Sequence, residues 1–489
     1  MTTNIEPLGA APAAAPGPAP PPVPTKPHLG TLLVVLTGTF MAGLDFFIVN
    51  VAVPSVQRDL HATSAEIQWI IAGYALAFGC GMITGGRLGD IFGRRRMFAL
   101  AMVLFVLSSV ACGVAQNAPF LVGARVLEGL SAALMGPQVL TILGTTYSGP
   151  ARARAINSYG MAMGISAVFG QLIGGLLIQG NVFDLGWRGC FLINVPIGVA
   201  ALALMPRFVP ESRAPGRPRL DLGGMLLVTL GLVAVVLPLI EGRQQRWPLW
   251  TWVTLAAALP LFAAFALYES RVKARQGSPL IDMSLFRERA FTAGLAAQLV
   301  FWTGQASFFL VFALYVQFGR GLDALQAGLI FLPLGAGYLA TSTTARWFAL
   351  RMGRQVIALG GVLRLVGLTA LLLLVLHFGV GGNIAWLVPA LLIDGAGMGL
   401  AVAPLASTVL TRIPPKHAGS AVGVLTTGVQ VGNALGVSLI GVVFYRVVGD
   451  TSGPIGYAHA LNSSILFLLA IPLALVLLVQ LLPRTPGGK

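Results

Sequence analysis

Charge is scarce in this chain. Asp, Glu, Lys and Arg make up 10% of its 489 residues, against about 25% in an ordinary soluble protein. With 56% hydrophobic residues and a mean hydropathy of +0.84, too few solvated side chains remain to cover a globule in water, which excludes a soluble enzyme. Cysteine is nearly missing as well. Cys80, Cys112 and Cys190 are odd in number and sit in or beside apolar runs, so neither a disulfide framework nor a cysteine metal cluster is expected. Lys26, Lys273, Lys416 and Lys489 are the whole lysine complement, and none stands in G-x-x-x-x-G-K-[ST], which removes a P-loop and with it ATP as the energy source. His28, His61, His377, His417 and His459 are scattered without H-E-x-x-H spacing, and no G-x-S-x-G elbow stands in a strand-turn-helix context. No catalytic constellation and no cofactor are expected, so the chain does not read as an enzyme.

Long apolar runs are what it has. They fall at about 30–53, 67–86, 97–115, 119–147, 156–178 and 189–208, then 222–240 and 250–268, then 290–317, 325–346, 356–378, 384–410, 420–445 and 460–482. Each is long enough to cross a hydrocarbon core with some 20 residues. The expectation is an all-α polytopic membrane protein with fourteen spans grouped six, two and six. Residues 1–29 form a Pro/Ala-rich tail without the basic and apolar regions of a signal peptide, read as disordered and cytoplasmic. Residues 30–208 form a six-helix bundle, 209–284 a linker carrying spans 7 and 8, 285–482 a second six-helix bundle, and 483–489 a second cytoplasmic tail.

The net charge of +15 would point to nucleic acid in a soluble chain. Its placement points to a membrane instead. With both termini inside, 23 of the 31 Lys and Arg residues fall in cytoplasmic segments and six on the other side. That asymmetry obeys the positive-inside rule, and misreading one span would invert every later loop and destroy it.

The two groups of six also correspond internally. The fourth run has Glu128-Gly129 and then Gly136-Pro137, while its counterpart in the second group has Asp394-Gly395 and then Ala403-Pro404. Arg87 followed by Gly93-Arg94 after the second run matches Arg346 followed by Gly353-Arg354. Such repeats are common in transporters, whose sites lie between the halves.

Five ionisable residues fall at membrane depth: Asp45, Arg125, Glu128, Arg364 and Asp394. Each costs a few kcal/mol to insert, so each is a functional hypothesis by default. A helical rise of 1.5 Å per residue puts Asp45 and Arg125 at one height in the outer half, with Glu128 near the midplane. Burial and a neighbouring arginine act on such carboxylates in opposite senses, the balance that proton exchange needs. The plainer reading is an ion pair between Arg125 and Glu128 that staples the fourth helix. For Arg364 and Asp394 a structural pair and a functional role are both open, and Asp394 enters the proton-coupling set through its match to Glu128.

The segment GGRLGDIFGRRRM, Gly85 to Met97, is the sharpest local pattern. Its glycines permit a tight turn, Asp90 can pair with an arginine, and Arg94 to Arg96 anchor a cytoplasmic surface. It resembles the G-x-L-a-D-r-x-G-r-r loop motif of the major facilitator superfamily. LDFFIVNVAVPSVQRDL (44–60), LVGARVLEGLSAALMGP (121–137), WRGCFLINVPIG (187–198) and SPLIDMSLFRERAF (278–291) are similar to motifs of that superfamily's fourteen-span drug:proton antiporters. Two positions depart from the pattern. Glu128 stands where the family usually has Gln, and Gln171 replaces the Pro of the fifth-helix G-P-x-x-G-G motif, here Gly170 to Gly175, which leaves antiport and symport open.

The resemblance implies a major facilitator fold, two six-helix bundles with an inserted hairpin, in a bacterial cytoplasmic membrane. It implies a monomer that exports lipophilic compounds against protons by alternating access, with no nucleic-acid partner. Asp45, Arg125, Glu128 and Asp394 are the expected proton-coupling residues, and Arg87, Asp90, Arg94 and Arg95 a latch that breaks and re-forms as the bundles rock. Gly170, Gly174 and Gly175 would pack the fifth helix tightly. Phe46, Trp69, Tyr74, Met135, Gln138, Gln171, Trp302, Gln305 and Phe309 are the candidates to line a cavity, since aromatic, Met and amide groups give an adaptable apolar surface. If Asp45 and Glu128 faced that cavity, a lipophilic cation would be the natural cargo. A dedicated exporter or proton symporter of one metabolite is the alternative within transport, and a receptor or embedded enzyme the alternative outside it.

Overall fold

The computed structural model describes residues 29–213, 220–275, 279–410, 418–450 and 453–482. The two expected tails, apart from Leu29, lie outside the described residues. Among the described residues, fourteen helices are long and apolar enough to cross a membrane. They are α1 (Leu29–Leu60), α2 (Ser64–Phe92), α3 (Arg94–Gly113), α4 (Ala118–Thr146), α5 (Gly149–Gly180), α6 (Gly186–Phe208), α7 (Leu222–Gln244) and α8 (Leu249–Ala274). The series continues with α9 (Arg289–Gly319), α10 (Ala324–Ser342), α11 (Gln355–Phe378), α12 (Ile384–Val409), α13 (Ala421–Gly449) and α14 (Pro454–Val479). No strand occurs among the described residues. In lipid a backbone amide has no water to bond, and a helix satisfies it within the segment.

Several helices outrun their apolar stretches. α1 passes through Pro54 to Leu60, because the apolar run marks only the part that lipid covers while the helix continues among polar residues. Local chemistry sets other ends. Thr63 and Glu66 form a reciprocal capping box at the start of α2, and Asp323 with Gln326 forms another at the start of α10. These are the second helices of the two groups of six. Asn117 caps α4 through the Phe120 amide at 2.9 Å.

One expectation needs correction. Gly85 to Met97 is not a loop: α2 continues to Phe92, α3 starts at Arg94, and Gly93 alone separates them. Gly93 has φ +105, a conformation that L side chains rarely adopt, so one residue suffices to reverse the chain. Gly353, before α11, also has positive φ.

Each group of six closes around a pair of interlocked helices. In the first, α2 and α4 meet so closely that a methyl on Gly129 would strike the Tyr74 carbonyl, and one on Gly85 the backbone at Ala133. In the second, Gly395 of α12 lies against the Leu334 carbonyl of α10, and Gly337 of α10 against the Leu392 carbonyl. Small residues let backbones approach where the apolar effect gives no drive between helices. The halves meet through α1 and α5 against α9 and α10, and through α2 against α13; α7 lies on both α2 and α13. Closure is tight at the end where α1 stops and α2 begins, here termed the distal end. Methyl groups on Gly175, Gly328 and Gly441 would strike Ala324, Gln171 and Gln68 across the seam.

Candidate functional site

The centre of the first half holds three ionic side chains, each with 0% exposure: Asp45 on α1, and Arg125 and Glu128 on α4. Arg125 Nη1 donates both to Asp45 Oδ2 and, at 2.7 Å, to Glu128 Oε2. Its Nε donates to the Ile70 carbonyl at 3.0 Å, while Nη2 meets no oxygen. The guanidinium instead lies over the Tyr74 ring at 4.2 Å and the Phe191 ring at 5.6 Å, where cation-π attraction replaces part of the lost hydration.

Three residues absent from the sequence-based set complete the shell. Ser109 donates to Glu128 Oε1, and the Cys112 thiol donates to Glu128 Oε2 at 3.4 Å. Asn194 donates to Asp45 Oδ1 at 3.2 Å and to the Ser109 hydroxyl at 3.1 Å. Their signal in the sequence is faint: neutral polar side chains within apolar runs, Asn194 inside the WRGCFLINVPIG motif. With all groups ionised the cluster carries two negative charges and one positive. The surplus charge in a dry interior is what a single proton would cancel.

Among the described residues, the second half buries one such pair. Arg364 Nε of α11 donates to Asp394 Oδ1 of α12 at 2.9 Å, and the guanidinium faces the Phe301 ring at 5.1 Å. Asp394 Oδ2 has no partner.

Of the latch residues, Arg94 bonds Asp90 at 2.9 Å, one turn away. Arg95 and Arg96 lie 3.9 and 3.7 Å from Glu211, which follows α6, and the Arg94 amide donates to the Ser212 carbonyl at 3.0 Å. These ties stay inside the first half. Arg87 reaches further, donating to the Pro279 carbonyl in the connection that leads into α9. Buried Asp221 and Glu269, at the foot of the α7–α8 hairpin, hold that connection by accepting from the Leu280 and Ile281 amides at 3.2 and 3.1 Å. Burial pushes the neighbouring Asp282 carboxyl up, but hydrogen bonds from Lys273 and Ser284 outweigh it and hold it at about 2.

The cavity candidates separate into two sets. Met135 is fully buried beside Gly38, and Gln138 donates to the Gly85 carbonyl at 2.7 Å, so both serve contacts inside the first half. Tyr74 donates to the Ala42 carbonyl at 3.0 Å, and Trp69 to Glu241 of the hairpin at 2.8 Å. Trp302 faces Gly432 of α13. Phe46 and Phe309 lie toward the seam, Gln171 sits on the stretch of α5 that packs against α10, and Gln305 stands one turn before Phe309. Ring centroids run in a row: Phe331 to Phe309 at 5.2 Å, Phe309 to Phe47 at 5.2 Å, Phe47 to Phe46 at 5.1 Å, and Phe46 to Tyr74 at 6.1 Å. Tyr74 carries the Arg125 guanidinium, so an unbroken chain of aromatic contacts joins the seam to the ionic cluster. Gly170 and Gly174 pack α5 onto Phe47 and Ile48 of α1, and Gly175 packs it onto α10.

Fourteen spans arranged as two interlocked halves about a seam, with the ionic groups shut inside the halves, define a multi-pass membrane carrier. Comparison with known proteins agrees: the sequence model of the Major Facilitator Superfamily matches residues 35–437, and the chain belongs to that family. It is 38% identical over 432 residues to the "Probable actinorhodin transporter" of Streptomyces coelicolor, covering 87% of this chain and 74% of that one. The "Tetracenomycin C resistance and export protein" of Streptomyces glaucescens is 34% identical over 455 residues, covering 92% and 80%. The "Multidrug resistance protein Stp" of Mycobacterium tuberculosis is 30% identical over 431 residues, covering 88% and 78%. Among solved structures, a POT family transporter in complex with a thioalcohol-conjugated peptide shares the fold, with a TM-score of 0.65 at 17% identity over 92% of this chain and 95% of that one. The chain is a transport protein of the drug-exporter type that handles small molecules, and not an enzyme.

Proposed function

We propose that this protein exports hydrophobic, antibiotic-like small molecules against protons by alternating access, as a monomer in a bacterial cytoplasmic membrane with both termini inside. In that orientation the tight distal end is the outer face, and the structure corresponds to a carrier closed outward. The observation that carries the reading is the sealed cluster of Asp45, Arg125 and Glu128, with one carboxylate more than its guanidinium can match. Taking up one proton neutralises it and giving one up restores the surplus charge.

The aromatic row supplies the link between proton and cargo. A molecule entering the seam displaces Phe309 and Phe47; Phe46 and Tyr74 follow, and Arg125 loses the ring on which it rests. Protonation of the cluster frees Arg125 from the same side. Coupling must then be reciprocal, cargo weakening proton binding by the factor by which the proton weakens cargo binding. Asp90 and Arg94 keep the α2–α3 corner rigid while the halves rock. Since Asp45 and Glu128 are enclosed by the first half, neither is offered to the cargo as a counter-ion.

The test is efflux of fluorescent aromatic compounds from proteoliposomes under an imposed pH gradient, comparing the wild type with Glu128→Gln and Asp45→Asn. Both variants should lose the response to the gradient. Undiminished gradient-driven efflux in the two would refute proton exchange at the cluster.

A further inference from the structure

Two amides at the seam have no partner. Gln171 on α5 is 0% exposed and Gln305 on α9 is 1% exposed, and neither the nitrogen nor the oxygen of either side chain makes a hydrogen bond. They come from opposite halves. The backbone of Gln171 lies against Gly328, one turn before Phe331, where α10 is interrupted between Leu329 and Leu332, while neighbouring Gly170 touches Phe47. Gln305 stands one helical turn before Phe309, whose ring meets both Phe47 and Phe331. Both amides therefore border the aromatic row where the halves join.

Buried amides without partners are unfavourable, and native interiors contain few of them. Here four polar groups are held idle at the point a cargo must pass. Each amide offers two donor hydrogens and one acceptor oxygen, and the row beside them offers ring faces. Formal charge is missing from the set: the carboxylates of Asp45 and Glu128 are bonded to Arg125, and Asp394 is bonded to Arg364 between α11 and α12.

We infer that Gln171 and Gln305 form a two-sided recognition site for an uncharged, flat aromatic molecule carrying both hydroxyl and carbonyl groups. The rings of Phe47, Phe309 and Phe331 take its plane, and the amides take its polar edges, one from each half. A cation gains only ring faces there, with no carboxylate to match its charge, and gives up more hydration than those faces return. A bare hydrocarbon leaves the four polar groups unpaired, and sites of that kind reject ligands that lack the matching group. Because the two glutamines belong to different halves, a bound ligand of this class also bridges them, and rocking must release one amide before the other. The inference rests on the export reading for the passage of cargo through the seam, but not on protons.

The experiment is equilibrium binding to the purified full chain in nanodiscs, without a gradient, with 1,8-dihydroxyanthraquinone, unsubstituted anthracene and ethidium as probes. The wild type should bind the dihydroxyanthraquinone at least about tenfold more tightly than anthracene, and ethidium should not displace it. Gln171→Leu and Gln305→Leu should each weaken the dihydroxyanthraquinone by about tenfold while leaving anthracene unchanged. Gln305→Glu should bring in ethidium binding. Equal wild-type affinities for the three probes, or displacement by ethidium, overturn the assignment without any variant having to fold. So does unaltered binding by both leucine variants. Glu128→Gln, which fixes the cluster without its surplus charge, should shift the probe affinities by one common factor and leave their ratio as in the wild type, so loss of proton coupling and failure of this site give separate results.

Discussion

The two halves each bury an ionic cluster with a carboxylate on the fourth helix, yet the clusters differ by one carboxylate. Arg364 and Asp394 balance each other, whereas Arg125 faces Asp45 and Glu128 together. A balanced pair can remain ionised through a transport cycle, since nothing is gained by adding a proton. An unbalanced set of three cannot be neutral without one. The symmetry of the backbone, visible in the paired capping boxes and in Gly129 and Gly395, is thus kept while the charge is not. The fold repeats and the charge balance does not.

The largest effect that tests this contrast comes from Arg125→Met. It strands two buried carboxylates, and a cost of about 3–5 kcal/mol is expected, read as a lowered melting temperature in detergent together with lost efflux. Stability equal to the wild type would mean that Arg125 is not what holds the two carboxylates in the dry interior. Next comes Glu128→Gln against Asp394→Asn: gradient-driven efflux should fall about tenfold or more in the first and remain near the wild type in the second. Similar losses in both would transfer part of the proton exchange to the second half. Gly129→Ala and Gly395→Ala should destabilise by similar amounts, about 1–3 kcal/mol each, because both press a methyl into a facing backbone carbonyl. Unequal melting shifts would show that the halves are not packed alike. The smallest change should follow joint replacement of Arg364 by Met and Asp394 by Leu. Exchanging a balanced buried pair for apolar groups is often neutral or stabilising. Loss of efflux with an unchanged melting temperature would give that pair a working role.

Span positions were legible because an apolar run has no other stable use at this length, and the ionic residues because any charge within such a run stands out. Helix ends were not, since polar residues return before the helix stops, as α1 shows beyond Pro54. The neighbours of the cluster were harder still: Ser109, Cys112 and Asn194 look like packing until four helices, α1, α3, α4 and α6, meet at one point. Glu211 answers Arg95 from 116 positions away, a pairing that no local pattern carries. Residue type also misled. Met135, Gln138 and Trp69 belong to the kinds that line cavities, but a side chain's type does not say which face of its helix meets the seam. Gln171 stood out through its departure from a motif, which marked a position where the backbone no longer needs a proline.

The three thiols have a practical consequence. Cys80, Cys112 and Cys190 are all free and buried, and Cys112 touches Glu128. Cys112 and Cys190, both 0% exposed, give a water-borne maleimide no route while the first half stays shut; Cys80, 8% exposed beside Thr229 of α7, is replaced by Ser before single reporter cysteines are placed. Any alkylation of Cys112 that accelerates during turnover then times the arrival of water at the carboxylates.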